Sequence, residues 1–216
     1  MVSISPKQAL LEEYALVATA LSAPARLAIL EQLAQKEHGV DSLAARTGLT
    51  LANCSQHLKV LRRAGLVASQ RAGKAVIYRL SDPSAFGLMA GLRQIAERNL
   101  AEVERILRGL SGGETPPEPV SRAELAERIS AGEVTVIDLR PADEFAVGHL
   151  PGAINLRLSE LADAHLDGEI VAYCRGPFCL DSQQAETLLR ARGLQARRMD
   201  GGLPEWREEG RMIQVK

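Results

Sequence analysis

The chain has 216 residues, 46% of them apolar and 25% charged, which excludes intrinsic disorder and leaves room for two globular domains of about 100 residues each. No run approaches the roughly 18 apolar residues of a membrane span, and the first seven residues lack the basic-then-apolar pattern of a secretory leader, so a cytoplasmic protein is expected. The formal net charge of −1 conceals two unlike halves: residues 1–110 carry 14 Lys/Arg against 9 Asp/Glu (+5), and residues 111–216 carry 12 against 18 (−6). Only the first half suits a polyanion.

In chain order, a helix is expected over 5–21, with Leu10, Tyr14, Val17 and Leu21 on one stripe. Ser22 is read as the cap of a second helix that turns Leu27, Leu30 and Leu33 inward. Asp41 is read as the cap of a short third helix, Ser42–Thr47, ended by Gly48. Thr50 caps a fourth, Leu51–Ala64, closed by Gly65. Two strands, Leu66–Arg71 and Ala75–Leu80, follow around Ala72-Gly73-Lys74, which is a hairpin signature. A long helix from Pro83 to Leu110 then carries Phe86, Met89, Ala96, Leu100, Val103, Leu107 and Leu110 as an apolar stripe. Residues 111–120, with two glycines and three prolines, read as a linker. Beyond it, strand-like runs (Val134–Leu139, Glu169–Tyr173, Ala196–Met199) alternate with helical ones (Arg122–Ala131, Leu180–Arg192), the pattern of an α/β domain with a mainly parallel sheet over 121–216.

Two short helices and a basic hairpin make a winged helix-turn-helix, placing a DNA-binding and dimerisation domain at 1–110. On the fourth helix Leu51, Cys54, Leu58 and Leu61 share an apolar face, and Ala52, Gln56, Lys59 and Arg63 lie opposite, flanked by Asn53 and Ser55. Gln56 suits base edges; Ser55, Lys59 and Arg62 suit phosphates, and His57 lies within the same helix. Arg71, Lys74 and Arg79 add positive charge to the wing. The run from Leu49 to Val67, with Ala23-Pro24-Ala25-Arg26-Leu27-Ala28-Ile29-Leu30, resembles the recognition region of ArsR/SmtB-family repressors over residues 8–108. The resemblance implies a homodimer on palindromic double-stranded operator DNA, joined through the first and last helices of that domain. The metal sites common in that family have no counterpart here, because His38-Gly39-Val40-Asp41-Ser42-Leu43 lacks a thiol and the last helix lacks His and Cys. No metal and no cofactor are expected. Cys54 has two readings, core packing or a sulfur sensor.

Three cysteines are too few for a disulfide framework. Val171-Ala172-Tyr173 runs into Cys174-Arg175-Gly176-Pro177-Phe178-Cys179 and then a helix. Backbone amides and a helix N-terminus would hold the Cys174 sulfur as an anion, with Arg175 attracting an anionic donor. Four runs, 136–145, 148–155, 173–175 and 200–206, resemble the rhodanese (sulfurtransferase) family across 121–210. That implies a Cys174 persulfide, formed from thiosulfate or polysulfide, with Asp138 and Arg140 bracing the loop and His149 within a turn. The catalytic set is then Cys174, Arg175, Cys179, Asp138 and Arg140. Cys179 departs from many family members and is either a resolving thiol or a spectator. Three functions stay open: a sulfur-responsive repressor, a sulfurtransferase that the DNA-binding half localises, and a metalloid-responsive repressor using Cys54, Cys174 and Cys179.

Overall fold

The computed structural model describes residues 5–110, 117–176 and 179–215, with the side chain of Leu110 excepted. The chain divides into two compact units, Met1–Met89 and Ala90–Lys216. Among the described residues, no single helix is long and apolar enough to cross a membrane.

The first unit opens with α1 (Pro6–Leu21), whose Ser5 cap accepts from the Gln8 amide at 3.2 Å. The next helix, α2 (Pro24–Gln35), starts at a proline, where the missing N–H costs nothing. Its cap is Ala23 rather than Ser22; the Ser22 hydroxyl instead donates to the Thr19 carbonyl and closes α1. After β1 (His38–Gly39) comes α3 (Val40–Thr47), capped by Gly39 without a side-chain bond, so Asp41 lies inside the helix and not before it. Gly48 ends α3 in the left-handed region at φ 68°. In α4 (Leu51–Arg63) Thr50 accepts from the Asn53 amide at 3.3 Å, as its sequence position suggests. The hairpin is β2 (Val67–Ala72) and β3 (Ala75–Leu80), turning at Gly73 with φ 62°. The antiparallel sheet runs β1-β3-β2. Ile29, Leu30, Leu43, Leu58, Leu61 and Met89 fill the core, each worth about 1.5–3 kcal/mol when fully buried. Leu51 does not join them and is 49% exposed, because as the first helical residue it precedes the buried turn.

The expected helix 83–110 is two helices, α5 (Ser84–Asn99) and α6 (Ala101–Leu110). Neither Gly nor Pro marks the break; the Asn99 amide side chain bonds the Ile95 carbonyl at 2.8 Å just before it. The expected linker 111–120 lies outside the described residues as far as 116. At its far end Val120 is buried and exchanges backbone bonds with β7 (Gln195–Gly202).

The second unit contains α7 (Arg122–Ala131), β4 (Thr135–Asp138), α8 (Ala142–Phe145), β5 (Ile154–Asn155), β6 (Glu169–Cys174), α9 (Asp181–Ala191), β7 and α10 (Leu203–Glu208). Its sheet is parallel with order β5-β4-β6-β7. The central strand β6 is buried on both faces, as its unbroken apolar run requires. Val171 and Tyr173 face Leu125, Leu150 and Trp206; Ile170, Ala172 and Cys174 face Leu161, Ala185 and Leu189. Alternation along β6 therefore aims Cys174 at the α9 side of the sheet, at the strand's carboxyl end.

Candidate functional site

In the first unit α4 buries Cys54, Leu58 and Leu61 and exposes Ala52, Asn53, Gln56, Lys59, Arg62 and Arg63; Ser55 and His57 are half-buried on its flanks. Gln56 and Lys59 thus stand on one open helical surface, three residues apart. Arg62 extends toward the wing, its Nη1 lying 3.4 Å from the Ser69 hydroxyl of β2. On the wing Arg71, Lys74 and Arg79 are all exposed. They do not form one patch. Arg71 sits opposite Val76 and Arg79 opposite Ala68, so side-chain alternation sends the two guanidinium groups to opposite faces of the hairpin, with Lys74 at its tip. Cys54 is fully buried, and that burial pushes its thiol pKa up, disfavouring the reactive thiolate.

In the second unit Cys174 ends β6 and is bonded to Cys179 in a disulfide. Only 1% of Cys174 is exposed. Pro177 and Phe178, which belong to the expected six-residue loop, lie outside the described residues. Of the amides expected to cradle the sulfur, that of Cys179 is turned to the Gly176 carbonyl at 3.0 Å. The helix behind the loop begins at Asp181 and not at Leu180, and the Asp181 Oδ2 lies 3.8 Å from the Cys174 Sγ. A carboxylate, absent from the sequence-derived site, is therefore next to the sulfur. Arg175, expected to attract an anionic donor, is engaged by a carboxylate. It forks onto Glu144, with Nε–Oε2 at 3.0 Å and Nη2–Oε1 at 2.9 Å, because that fully buried carboxylate requires a counter-charge.

Asp138 and Arg140 form a wholly buried pair one strand away. Arg140 Nη2 reaches Asp138 Oδ2 at 2.5 Å and the Gly148 carbonyl at 2.7 Å. The Tyr173 hydroxyl donates to the same carboxylate and accepts from the Leu150 amide at 3.0 Å. This network ties the residue before Cys174 to the neighbouring strand end and does not touch the sulfur. Burial, and next the adjacent Asp138 charge, holds the Tyr173 phenol well above its usual range, so it remains a donor. Losing one member of such a buried ion pair costs about 3–5 kcal/mol. His149 is buried in its turn, its Nδ1 3.0 Å from the Phe145 carbonyl and its ring stacked on Phe145.

The end of β7 comes against the loop. Cys174 pairs in register with Gly202, and a Cβ on Gly202 would meet the Cys174 carbonyl and the Gly176 backbone. A cavity of about 350 Å³ within this unit opens beside the loop, lined by Gly176, Cys179, Arg198, Arg93, Glu97 and Arg108 among others. Its arginines are paired with carboxylates: Arg93 with Glu97 at 2.7 Å, Arg198 with Glu186 at 2.9 Å, and Arg108 with Glu104. Sequence reasoning missed Glu144, Tyr173, Asp181 and Glu186 because each acts through a partner distant in the chain or across a turn.

A winged helix-turn-helix followed by a parallel-sheet domain with a cysteine at the mouth of its central strand defines a two-domain transcriptional regulator of the rhodanese-bearing kind. The family profile described as "bacterial regulatory protein, arsR family" matches residues 23–69, and that of the rhodanese-like domain matches residues 121–209. The HTH-type transcriptional regulator Rv0324 of Mycobacterium tuberculosis is 41% identical over 208 residues, covering 94% of this chain and 91% of that one. Among solved structures, the homodimeric winged helix-turn-helix DNA-binding domain Mb0332 of Mycobacterium bovis is 37% identical, covering 46% of this chain and 94% of that one, with a TM-score of 0.42. A rhodanese-related protein of Thermoplasma volcanium is 27% identical over 46% of this chain and all of that one, also with a TM-score of 0.42. The chain belongs to the ArsR family of bacterial transcriptional regulators, in a form carrying a C-terminal rhodanese domain.

Proposed function

We propose that the protein is a cytoplasmic repressor that binds operator DNA as a homodimer and responds to reactive sulfur through Cys174. The Cys174 thiolate attacks the sulfane sulfur of thiosulfate or polysulfide, breaking its S–S bond to give a persulfide and releasing sulfite or the shortened polysulfide. The Cys179 thiol then attacks the Cys174 sulfur, closing Cys174–S–S–Cys179 and releasing the outer sulfur as hydrogen sulfide, with the thiol proton leaving on it. The observation that carries this reading is the bond between Cys174 and Cys179, which places the second thiol within reach of the first. It favours the resolving role of Cys179 over that of a spectator. Asp138 and Arg140 position the loop, while Cys54 is a core residue.

The DNA surface is the open side of α4, with Gln56 reading bases and Lys59 and Arg62 holding phosphates. Because Arg71 and Arg79 diverge, they would contact different phosphate strands. The dimer reading is supported by apolar side chains that the single chain leaves uncovered: Leu10, Leu11 and Tyr14 on α1, and Leu88, Leu92 and Ile95 on α5. The α5 part of this stripe is not the one expected from sequence, since Phe86 and Met89 are consumed by the chain's own core.

Operator binding measured with and without polysulfide, in wild type, Cys174→Ser and Cys179→Ser, tests the proposal. Polysulfide should release wild-type protein and leave Cys174→Ser bound, while Cys179→Ser should accumulate a persulfide visible by mass spectrometry. Equal release of wild type and Cys174→Ser would refute the sulfur response. Fast thiosulfate turnover with operator affinity indifferent to sulfur would instead make the chain a localised sulfurtransferase.

A further inference from the structure

In the second unit the ligand atoms of Cys174, Cys179 and Asp181 all lie within 4.8 Å of one another. We propose that, when the disulfide is reduced, these three side chains bind one soft divalent cation. The site shares both sulfurs with the reading above but needs neither a persulfide nor Cys54. A tetrahedral zinc-like ion, with metal–sulfur bonds of about 2.3 Å and metal–oxygen bonds of about 2.0 Å, spans roughly 3.5 Å between a sulfur and an oxygen ligand. The Cys174 Sγ and Asp181 Oδ2 already stand 3.8 Å apart. Reduction frees the two sulfurs to separate along the same short loop. Two thiolates and a carboxylate bring three negative charges to one point. The guanidinium next in sequence does not balance them, being forked onto Glu144. A cation supplies the balance, and paired thiolates select a thiophilic one. Among the described residues this is the sole cluster of three such ligand groups. The three residues leave a fourth position for water or a further ligand.

The test uses the full chain, reduced and freed of metal, titrated anaerobically with cadmium chloride while thiolate-to-cadmium absorption is followed in the ultraviolet. One cation should bind per chain, and binding should block formation of the Cys174–Cys179 disulfide. Asp181→Asn should weaken binding by about 10- to 100-fold, the loss that even an outer-shell partner causes. Cys54→Ser should leave it unchanged, and the Cys174→Ser/Cys179→Ser double variant should abolish the absorption band. Trp206 fluorescence confirms that each variant is folded. A band that survives in the double variant, or an Asp181→Asn affinity equal to wild type, overturns the proposal. Persulfide formation on metal-free protein, read by mass spectrometry, stands or falls separately.

Discussion

Replacing Gly202 with alanine should damage the thiol loop without touching any of its side chains. The added methyl carbon would lie 2.6 Å from both the Cys174 carbonyl oxygen and the Gly176 Cα, and also against the Gly176 amide, whereas ordinary contact begins near 3.4 Å. The loop backbone would therefore have to withdraw by about 1 Å. Gly202 itself is extended (φ −147°, ψ −164°), a conformation alanine adopts freely, so the whole effect is steric. Overpacking of this kind costs about 1–3 kcal/mol. With a urea m-value of about 2 kcal/mol/M, the unfolding midpoint of the second unit should fall by roughly 0.5–1.5 M. Trp206, the chain's one tryptophan and buried in that unit's core, reports the transition by fluorescence. The rate at which Cys174 and Cys179 join on mild oxidation should change as well. Gly168→Ala is the control: its φ of 73° makes alanine cost about 1–2 kcal/mol, but nothing lies within 4 Å and the thiols should react normally. A Gly202→Ala protein with wild-type midpoint and wild-type thiol reactivity would refute the argument.

Glu205 is held above the ordinary carboxyl value of 4.5 by burial, although its carboxylate accepts from the Gly202 amide at 2.8 Å. A raised folded pKa means that ionisation costs stability as pH rises through it, so Glu205→Gln should stabilise the second unit at pH 7. That advantage should vanish as pH falls below the ordinary carboxyl range; a gap constant with pH in urea titrations would contradict the assignment. Gln56→Ala should cost about 1–3 kcal/mol on the cognate operator and relax discrimination there, measured by competition binding. Lys59→Ala should weaken all sequences alike and lower the slope of log affinity against log salt by about 1. Leu92→Glu with Ile95→Glu should shift sedimentation toward monomer and weaken operator binding with it; an unchanged dimer would move the interface off α5.

Local chemistry made the DNA-facing half readable. Thr50, Gly48 and Gly73 act within four residues of themselves, and each behaves as its type dictates. Where two neighbours competed for one role, residue preference misled: Ser22 and Asp41 are good caps, yet the chain turns at Ala23 and Gly39 instead. The long helix broke at Leu100 with no proline or glycine to announce it. In the second half the alternation of strands and helices exposed the sheet, and the strand–loop–helix pattern marked Cys174. The partners that shape its surroundings were not readable, because Glu144 meets Arg175 across 31 positions and Asp138 meets Tyr173 across 35. Such pairings are products of the closed fold. Asp181 illustrates the subtler case: only the start of α9 at that residue sets its carboxylate beside the sulfur.

The covalent ring between Cys174 and Cys179 spans only five positions. By the chain-entropy estimate so small a ring restrains the unfolded polymer by about 2 kcal/mol, less than half of what a ring of about 100 residues would contribute. Set against the roughly 5–15 kcal/mol that holds a typical domain together, joining or parting the two sulfurs shifts the folding equilibrium by about 30-fold. Whatever changes the state of that junction therefore changes, by the same factor, how firmly the unit holds together.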